Sequence, residues 1–273
     1  MDSTLIYDVG MHKGEDTDYY LKLGFRVVGF EADPELIATC KSRFAAPVAS
    51  GQLHIVEGAI APLGYGEEIT FFRSSLSVWG TVEHEWEERN RRLGAGSTPI
   101  KVKRVDVTHA FREFGIPFYV KIDVEGVDRL IVEALQLFPE RPRFLSIESE
   151  KVSFARVVQE LKLLHELGYK KFNIVQQADV PGSRITTCTI SGQALEYTFT
   201  EHSSGPFGDD IDQRWVNLRE AVSQYRRIFA AYRLLGDGSI FYRTVRGRRL
   251  ISKLETWSGK RLPGWYDTHA RRD

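Results

Sequence analysis

Acidic residues and glycines recur at the ends of the apolar segments that this sequence predicts to be β-strands. The set is Asp8 with Gly10, Glu31, Glu57 with Gly58, Asp123 with Glu125, and Glu148. Ligands of open α/β sheets bind at the carboxyl ends of the strands. Carboxylates gathered in one crevice repel each other unless a cation or hydroxyl donors join them, which disfavours a bound pyrophosphate. The pattern therefore favours a ligand with hydroxyls, an amino group and a positive centre.

The loop after the first predicted strand has the spacing of a nucleotide-binding turn but not its full glycine set. It reads Asp8-Val9-Gly10-Met11-His12-Lys13-Gly14, without the middle glycine of the G-x-G-x-x-G motif. Glu31 follows Gly10 by 21 positions, an offset at which an acid accepts hydrogen bonds from ribose hydroxyls. The loop, Glu31 and the predicted strand order together indicate an adenosine ligand.

S-adenosylmethionine meets these demands, because it has a sulfonium cation, a ribose diol, an amino group and a carboxylate, and no phosphate. We expect Asp8 to support the loop and the amino group, and Glu31 to hold the ribose. The run Gly58-Ala59-Ile60 is expected to lie beside adenine. The helix N-terminus that follows the loop can hold a carboxylate.

Alternating strand and helix patterns must position these residues. Apolar runs predict strands at Leu5–Gly10, Phe25–Phe30, Leu53–Val56, Glu68–Arg73, Ile100–Val105, Phe118–Ile122, Phe144–Ile147, Lys171–Val175 and Trp265–Ala270. Helices are predicted at Glu15–Leu23, Glu35–Phe44, Glu83–Arg92 and Val127–Phe138, and from Phe154 to a stop at Gly168. The alternation predicts an α/β fold: a Rossmann-like, doubly wound, mostly parallel sheet with helices on both faces.

The alternation breaks after residue 178, which divides the chain. We expect a cofactor-binding domain at 1–178, a helical insertion for acceptor recognition at 179–261, and a final strand and tail at 262–273 that return to the sheet. Within the insertion, apolar residues step by four and three along one long helix: Ile211, Trp215, Leu218, Val222, Tyr225, Phe229 and Tyr232. This stripe either packs on its own domain or forms a homodimer through the Ile211–Tyr232 helix.

Composition excludes several classes of protein. The chain has 273 residues, 37 Lys and Arg against 37 Asp and Glu, and 42% hydrophobic residues, so it fills a core and is not disordered. Zero net charge argues against a nucleic-acid binder, and no window approaches ~18 uninterrupted apolar residues, which argues against a membrane span. Only Cys40 and Cys188 occur, and the N-terminus lacks the apolar core of a signal peptide, so we expect a cytoplasmic protein.

Charge is nevertheless unevenly placed along the chain. The segment 226–273 carries twelve Lys and Arg against four Asp and Glu. It is either a solvated basic face or a patch that attracts an anionic substrate, and the sequence leaves both open.

Four stretches resemble the FkbM-type family of S-adenosylmethionine-dependent methyltransferases. They are Asp8–Tyr20, Val28–Pro34, Val56–Ile60 and Val120–Gly126, in the family's order. The last, VKIDVEG, is the most telling, because a strand that ends in Asp-x-Glu-Gly is unusual among Rossmann proteins. The resemblance implies a class I methyltransferase fold, S-adenosyl-L-methionine as cofactor, and methyl transfer to a hydroxyl, often on a sugar or natural product. The expected cofactor-binding residues are Asp8, Gly10, Gly14, Thr17, Glu31, Ala32, Asp33, Gly58, Ala59 and Asp123.

Methyl transfer is an in-line displacement, for which an enzyme aligns an acceptor oxygen behind the methyl group and excludes water. A general base takes up the hydroxyl proton, and the predicted catalytic residues are His12, Asp123 and Glu125. Asp123 is expected to contact cofactor or acceptor, and Glu125 to orient the acceptor or act as base. Asp123, Glu125 and Glu148 form an alternative Mg²⁺ set, but no tight ligand-spacing motif is present, so we predict no metal.

Two other functions fit the same fold. One is a nucleotide-sugar or NAD(P) enzyme, which calls for a phosphate-binding glycine cluster. The other is a catalytically silent module that binds a glycan or protein through the heptad helix and the basic tail. Binding of a small-molecule or glycan hydroxyl acceptor, with no nucleic acid, is the prediction that follows from the family resemblance.

Overall fold

A computed structural model describes residues 1–75, 79–92, 94–124, 126–149, 153–235, 244, 253 and 264–272. The chain divides into two compact units. The first comprises Met1–Ile147 and Arg184–Tyr197, and the second comprises Glu148–Ser183 and Thr198–Asp273. Within the described ranges, no helix is long and apolar enough to cross a membrane.

The first unit begins with alternating strands and helices. In chain order they are β1 (Asp2–Val9), α1 (Glu15–Lys22), β2 (Arg26–Glu31), α2 (Pro34–Arg43), α3 (Ala45–Ser50), β3 (Leu53–Glu57), β4 (Ala59–Ile60), β5 (Glu68–Ser74), α4 (His84–Arg92), β6 (Ser97–Val105), α5 (Val107–Phe114), β7 (Pro117–Ile122), α6 (Asp128–Ala134) and β8 (Phe144–Glu148). Five of these strands lie side by side in the order β3, β2, β1, β7, β8, and each neighbouring pair is parallel. The predicted α/β fold with a mostly parallel, Rossmann-like sheet is confirmed.

The central strands are apolar almost throughout because both of their faces are covered. In β1 the last five residues are buried, and in β7 the last four are buried. Such strands read as continuous hydrophobic runs rather than as alternating patterns. Helix α2 starts where the sequence predicts it, because Asp33 caps it by accepting a hydrogen bond from the Glu35 amide and Pro34 occupies the first turn.

The less regular middle of the first unit forms a second, smaller sheet. Its order is β4, β6, β5, with β4 parallel and β5 antiparallel to β6. Apolar side chains from these strands, together with Ala61 just after β4, form one buried cluster, comprising Ala59, Ala61, Ile69, Phe71 and Val102. The sequence predicts the two long strands here but not their pairing.

A hairpin also belongs to the first unit, although it lies far along the chain. Strands β10 (Arg184–Cys188) and β11 (Ala194–Thr198) form a two-stranded sheet. The Tyr197 hydroxyl donates to Asp18 of α1 at 2.9 Å, and the Ile190 amide donates to the Leu23 carbonyl at 2.8 Å. The hairpin therefore packs on α1, and residues 179–261 are not helical throughout.

The second unit contains α7 (Phe154–Glu166), β9 (Lys171–Gln176), α8 (Leu218–Leu235) and β12 (Tyr266–Arg271). The predicted last strand is confirmed, and it pairs antiparallel with β9. Three buried hydroxyls join its elements, since Tyr225 of α8 bonds Thr268 of β12 at 2.6 Å and Ser149 bonds Thr268 at 2.8 Å. The proposed division at 178 and 261 remains a prediction.

Helix α8 corrects one prediction about the heptad stripe. The helix begins at Leu218, so Ile211 and Trp215 precede it and do not extend the stripe. Tyr225 and Phe229 are buried within the single chain, and the Phe229 ring lies 5.5 Å from that of Phe154 on α7. These two rings are buried in their own unit, where Phe229 contacts Phe154 of α7, and a homodimer through this helix remains a prediction.

One predicted helix is shorter in the structure, and two further predictions concern residues outside the described ranges. The helix predicted at Val127–Phe138 runs only over Asp128–Ala134 before a 3₁₀ turn. Most of the basic segment at 226–273 lies outside the described residues, and so does Glu125.

Candidate functional site

The strand order reverses direction between β1 and β7. From β1 the chain adds β2 and then β3 on one side, whereas β7 and β8 lie on the other side. In open α/β sheets, ligands bind in the crevice outside the carboxyl ends of the strands at such a switch point. Two loops border that crevice here: the first loop, residues 10–14 after β1, and the second loop after β7, of which residues 123, 124, 126 and 127 are described.

Gly10 brings the two loops into direct contact. Its φ is +84°, and a Cβ at this position would lie 1.9 Å from the carbonyl oxygen of Asp123. The Asp123 amide in turn donates to the Val9 carbonyl at 2.9 Å. Only glycine fits this position, because both the backbone conformation and the close approach exclude a side chain.

A buried lysine lies beneath the two loops. The Lys121 ammonium is 3.4 Å from Asp8 Oδ1, 3.3 Å from Asp16 Oδ2 and 3.4 Å from Asp123 Oδ2. Burial lowers the pKa of Lys121, but attraction to Asp8, Asp123 and Asp16 outweighs it and holds that pKa well above its usual value. We call these four residues the switch-point cluster.

Lys121 supplies part of the positive charge that the carboxylates at the strand ends require. The sequence analysis assigned positive charge to the ligand alone and missed Lys121. Asp16 was not among the predicted site residues. The available signal was a lysine inside the otherwise apolar run FYVKI, two residues before Asp123. Three carboxyl groups still face one ammonium group, so the cluster retains an excess of acidic groups.

Asp8 and Thr17 are fully buried and bonded to each other. The Thr17 hydroxyl donates to Asp8 Oδ2 at 2.6 Å, which fixes the start of α1 against the end of β1. Burial raises the pKa of Asp8, while Lys121 and Thr17 act in the opposite direction. Both residues lie at the predicted place, and their side chains support the first loop from below.

Asp123 is the exposed member of the cluster. Its side chain is 44% exposed, against 5% or less for Lys121, Asp8 and Asp16. With one carboxylate oxygen on the lysine, it presents a negatively charged acceptor at the mouth of the crevice. This position suits the predicted contact with a cofactor or acceptor.

Glu31 joins the first loop to the start of α2. Its Oε2 accepts from the His12 amide at 2.8 Å, and its Oε1 accepts from the amides of Ala32 and Asp33, each at 2.8 Å. Burial raises its pKa to about 6, although these three hydrogen bonds act in the opposite direction. A carboxylate has about four acceptor positions. Glu31 therefore keeps about one for a ligand hydroxyl.

His12 has a strained backbone at the tip of the first loop. Its φ is +52°, a region that non-glycine residues rarely adopt. Its Nδ1 lies 3.2 Å from both carboxylate oxygens of Glu15, and its side chain is 13% exposed. Counted from Gly10, residue 12 is the position of the middle glycine in a dinucleotide-binding motif. His12 has the positive φ that is typical of such a glycine, but it carries an imidazole side chain.

The other predicted cofactor residues lie near Glu31. Asp33 is buried and caps α2, and Ala32 packs against the cluster of the smaller sheet. The Gly58 amide donates to the Glu31 carbonyl at 2.9 Å, which brings Gly58 and Ala59 to this corner. Gly14 begins α1 with φ +78°, and a Cβ there would clash with the Phe44 ring.

A tryptophan that the sequence analysis did not select covers the second loop. Gly126 has φ +94°, and a Cβ there would lie 2.7 Å from Cδ1 of Trp86 on α4. Helix α4 therefore packs a half-buried indole directly on the loop that carries Asp123. This contact also explains why residue 126 is glycine.

The alternative metal set finds no support in the described part of the chain. Among the described residues, no group of three or more His, Cys, Asp or Glu is arranged to hold a metal ion. Glu148 ends β8, and Glu125 lies outside the described residues. The Mg²⁺ alternative through Asp123, Glu125 and Glu148 therefore stays untested.

The predicted site residues fall into two groups around the first loop. Glu31 ends β2 and Asp123 follows β7, and these two strands flank β1, so about two strand spacings, or about 10 Å, separate the two residues. A ligand with hydroxyls at one end and a cationic amino group at the other fits this separation. The predicted residues His12, Glu31, Ala32 and Asp33 come together on one side, and Asp8, Gly10, Thr17 and Asp123 on the other.

Three comparisons with known proteins bear on this arrangement. Among solved structures, the chain is similar to a SAM-dependent methyltransferase from Archaeoglobus fulgidus (TM-score 0.39, 11% identity, 99% of this chain and 87% of that one). It is also similar to precorrin-6y C5,15-methyltransferase from Geobacter metallireducens GS-15 (TM-score 0.38, 12% identity, 72% and 77%) and to human methyltransferase 10 domain containing protein (TM-score 0.37, 15% identity, 74% and 74%).

These structural similarities are too weak to carry a function to this chain, and no curated protein matches its sequence. A family model gives the direct result. The model for the methyltransferase FkbM domain matches residues 8–171, which span the end of β1, the first loop, Glu31, β7 and the VKIDVEG stretch. The resemblance found in the sequence is confirmed, and the chain belongs to the family of methyltransferases with an FkbM domain.

Proposed function

We propose that this methyltransferase uses S-adenosylmethionine as methyl donor and methylates a hydroxyl oxygen of a small-molecule or glycan acceptor. The observation that carries the proposal is the pair of carboxylates, Glu31 and Asp123, on either side of the glycine loop after β1. Family membership supports the donor. The acidic surroundings oppose a phosphate-bearing ligand in the same place.

The residues of the site match the donor group by group. Glu31 has about one unused acceptor position for a ribose hydroxyl, and its other positions fix the backbone around it. Asp123 is exposed and carries the charge that an ammonium or sulfonium group requires. Gly58 and Ala59 lie next to Glu31, as expected for an adenine-side wall.

Bound S-adenosylmethionine supplies a methyl group on a positively charged sulfur. The chain's own residues then have to hold an acceptor oxygen in line with the methyl group, exclude water and receive the hydroxyl proton. Trp86 covers the second loop on the side of α4 and provides an apolar wall for an acceptor. Acidic groups at the crevice favour a neutral hydroxyl acceptor over an anionic one, because like charges repel.

His12 and Asp123 are the described candidates for the proton acceptor. Nδ1 of His12 faces Glu15, so a proton on Nδ1 leaves Nε2 as the basic nitrogen, oriented by the carboxylate. Asp123 is a carboxylate at the crevice mouth. Glu125 remains a predicted base from the sequence.

Calorimetry with S-adenosylhomocysteine, the product form of the donor, tests the proposal. We expect the wild-type protein to bind S-adenosylhomocysteine and not NAD, and Glu31→Gln to weaken binding at least tenfold. The matched control is Glu57→Gln, because Glu57 is the register partner of Glu31 on β3 but is exposed and bonded to Lys41. Binding of NAD instead, or of neither compound, would contradict the proposal and favour the nucleotide enzyme or the silent module.

A further inference from the structure

Lys121 is a charged residue inside an apolar strand. It lies in β7 among Tyr119, Val120 and Ile122, and the whole residue is 4% exposed. Lysine is rarely buried so deeply unless it is paired, because its ammonium loses its hydration. Its presence here therefore requires compensation from specific partners.

Those partners come from separate parts of the first unit. The ammonium donates to the Gly10 carbonyl at 3.1 Å, and Asp8, Asp16 and Asp123 surround it at 3.3 to 3.4 Å. They belong to the end of β1, the first loop, the first turn of α1 and the start of the second loop. One side chain thus connects every segment that borders the switch point.

The chemistry of the cluster rules out a nucleophilic or basic role for Lys121. The three carboxyl groups keep its pKa well above the usual value, so the amine stays protonated and has no free electron pair. The side chain is also too buried to reach an acceptor. What it can do is fix the orientation of its neighbours.

We propose that Lys121 is the positioning residue of this site, whose ammonium holds the Asp123 carboxylate of the second loop and the Gly10 carbonyl of the first loop in place. The positioning itself concerns the free protein, and only its consequence for donor binding rests on the proposed function. Asp123 is the one carboxylate of the cluster that reaches solvent. The buried Lys121 ammonium therefore acts on a bound ligand by orienting the Asp123 carboxylate, which the ligand can contact.

Removal of Lys121 alone would leave buried carboxylates unpaired, which can prevent folding. The main test variant is therefore Lys121→Met combined with Asp8→Asn, which removes one group of each sign. Asp8→Asn alone is the reference, since it retains the ammonium near Gly10 and Asp123. Lys162→Met, at an exposed position on α7, controls for the substitution itself.

Hydrogen exchange in the absence of ligand provides the first readout. The Gly10 amide donates to Phe30 and the Asp123 amide donates to Val9, so both report on the two loops. We expect exchange at these amides to be at least tenfold faster in the double variant than in Asp8→Asn, with α7 unchanged. Unchanged exchange in a folded double variant would overturn the inference, whether or not the protein binds an adenosyl ligand.

Calorimetry with S-adenosylhomocysteine provides the second readout. The double variant is expected to bind at least tenfold more weakly than Asp8→Asn, and Lys121→Arg, which keeps the charge, is expected to recover part of the wild-type affinity. Binding within twofold of Asp8→Asn would show that Lys121 does not position the site. If the wild-type protein binds no adenosyl ligand, the proposed function fails, and hydrogen exchange alone still decides the positioning role.

Discussion

In our proposal, the carboxylate of Glu31 both holds the backbone around the first loop and binds the ribose. It accepts hydrogen bonds from three backbone amides, yet it is only 8% exposed, and burial raises its pKa to about 6. Its protonation therefore falls in an accessible pH range. A protonated carboxyl is a poorer acceptor for ribose hydroxyls and for its own amide donors, so the charged form is the binding form.

This pKa predicts how binding depends on pH. As the pH falls below about 6, Glu31 takes up a proton, and the affinity for S-adenosylhomocysteine should fall by up to about tenfold per pH unit. Above that pH, the affinity should show no further dependence on this group. Calorimetry between pH 5 and 8 measures the effect, with Glu31→Gln as the comparison. An equal slope in that variant would show that another group titrates.

Single residues were predictable to different degrees. Asp8, Glu31 and Asp123 follow apolar runs, and that local pattern alone puts them at strand ends. Lys121 was missed, because its partners come from three other segments and no local pattern records them. The same holds for Trp86, whose contact with Gly126 depends on how α4 packs.

At the scale of elements, the contact between the first and second loops depends on Gly10. Gly10→Ala introduces both a strained φ and a Cβ that would meet the Asp123 carbonyl, so it should destabilise the protein and abolish donor binding. Gly51→Ala is the matched control, because Gly51 has φ +77° with nothing within 4 Å of a Cβ. Urea unfolding should show a loss of about 1–2 kcal/mol for Gly51→Ala and a larger one for Gly10→Ala. Equal losses would contradict the account of the loop contact.

The aromatic stripe of α8 supports a second prediction about elements. Phe229→Ala should destabilise the protein by about 3–5 kcal/mol, because the ring is buried against Phe154 and Tyr232. Leu234→Ala, at a position 60% exposed on the same helix, should change stability by less than about 0.5 kcal/mol. Chemical unfolding measures the stability of the two variants, and light scattering measures their oligomeric state. A dimer that dissociates in Phe229→Ala without loss of stability would contradict this and support the predicted interface.

Strands and helices were predictable from the sequence where the pattern that indicates them lies within a few neighbouring residues. Strand runs, the Asp33–Pro34 helix start and the glycine stops were sufficient for most of the first 175 residues. The β10–β11 hairpin was missed, because its alternation is short and its packing on α1 joins residues far apart in the chain. Heptad spacing before Leu218 was misleading, since a periodic pattern does not show where a helix begins.

At the scale of the whole molecule, the family match covers residues 8–171 and leaves the remainder to chain-specific features. The hairpin, α8 and β12 lie beyond that match. The match therefore bears on the methyl donor, because every predicted donor-binding residue lies within it. We predict that residues 179–261, which lie beyond the match, contribute to acceptor recognition.

Metal dependence is a property of the whole reaction, and we predict none. An ammonium group already accompanies the carboxylates of the switch-point cluster, and alkylation from a sulfonium needs no Lewis acid. Once an acceptor is found, methyl transfer should be unchanged by chelator. Activity that chelator removes and Mg²⁺ restores would show that Asp123, Glu125 and Glu148 deserve reassignment as ligands.

A crystal structure of the protein with S-adenosylhomocysteine tests the central claim most directly. It should show the ligand across the loop after β1, with a ribose hydroxyl on Glu31, the amino group toward Asp123, and Lys121 still on both Asp123 and Gly10. A ligand bound elsewhere, or a crevice occupied by the protein's own side chains under saturating ligand, would contradict the account.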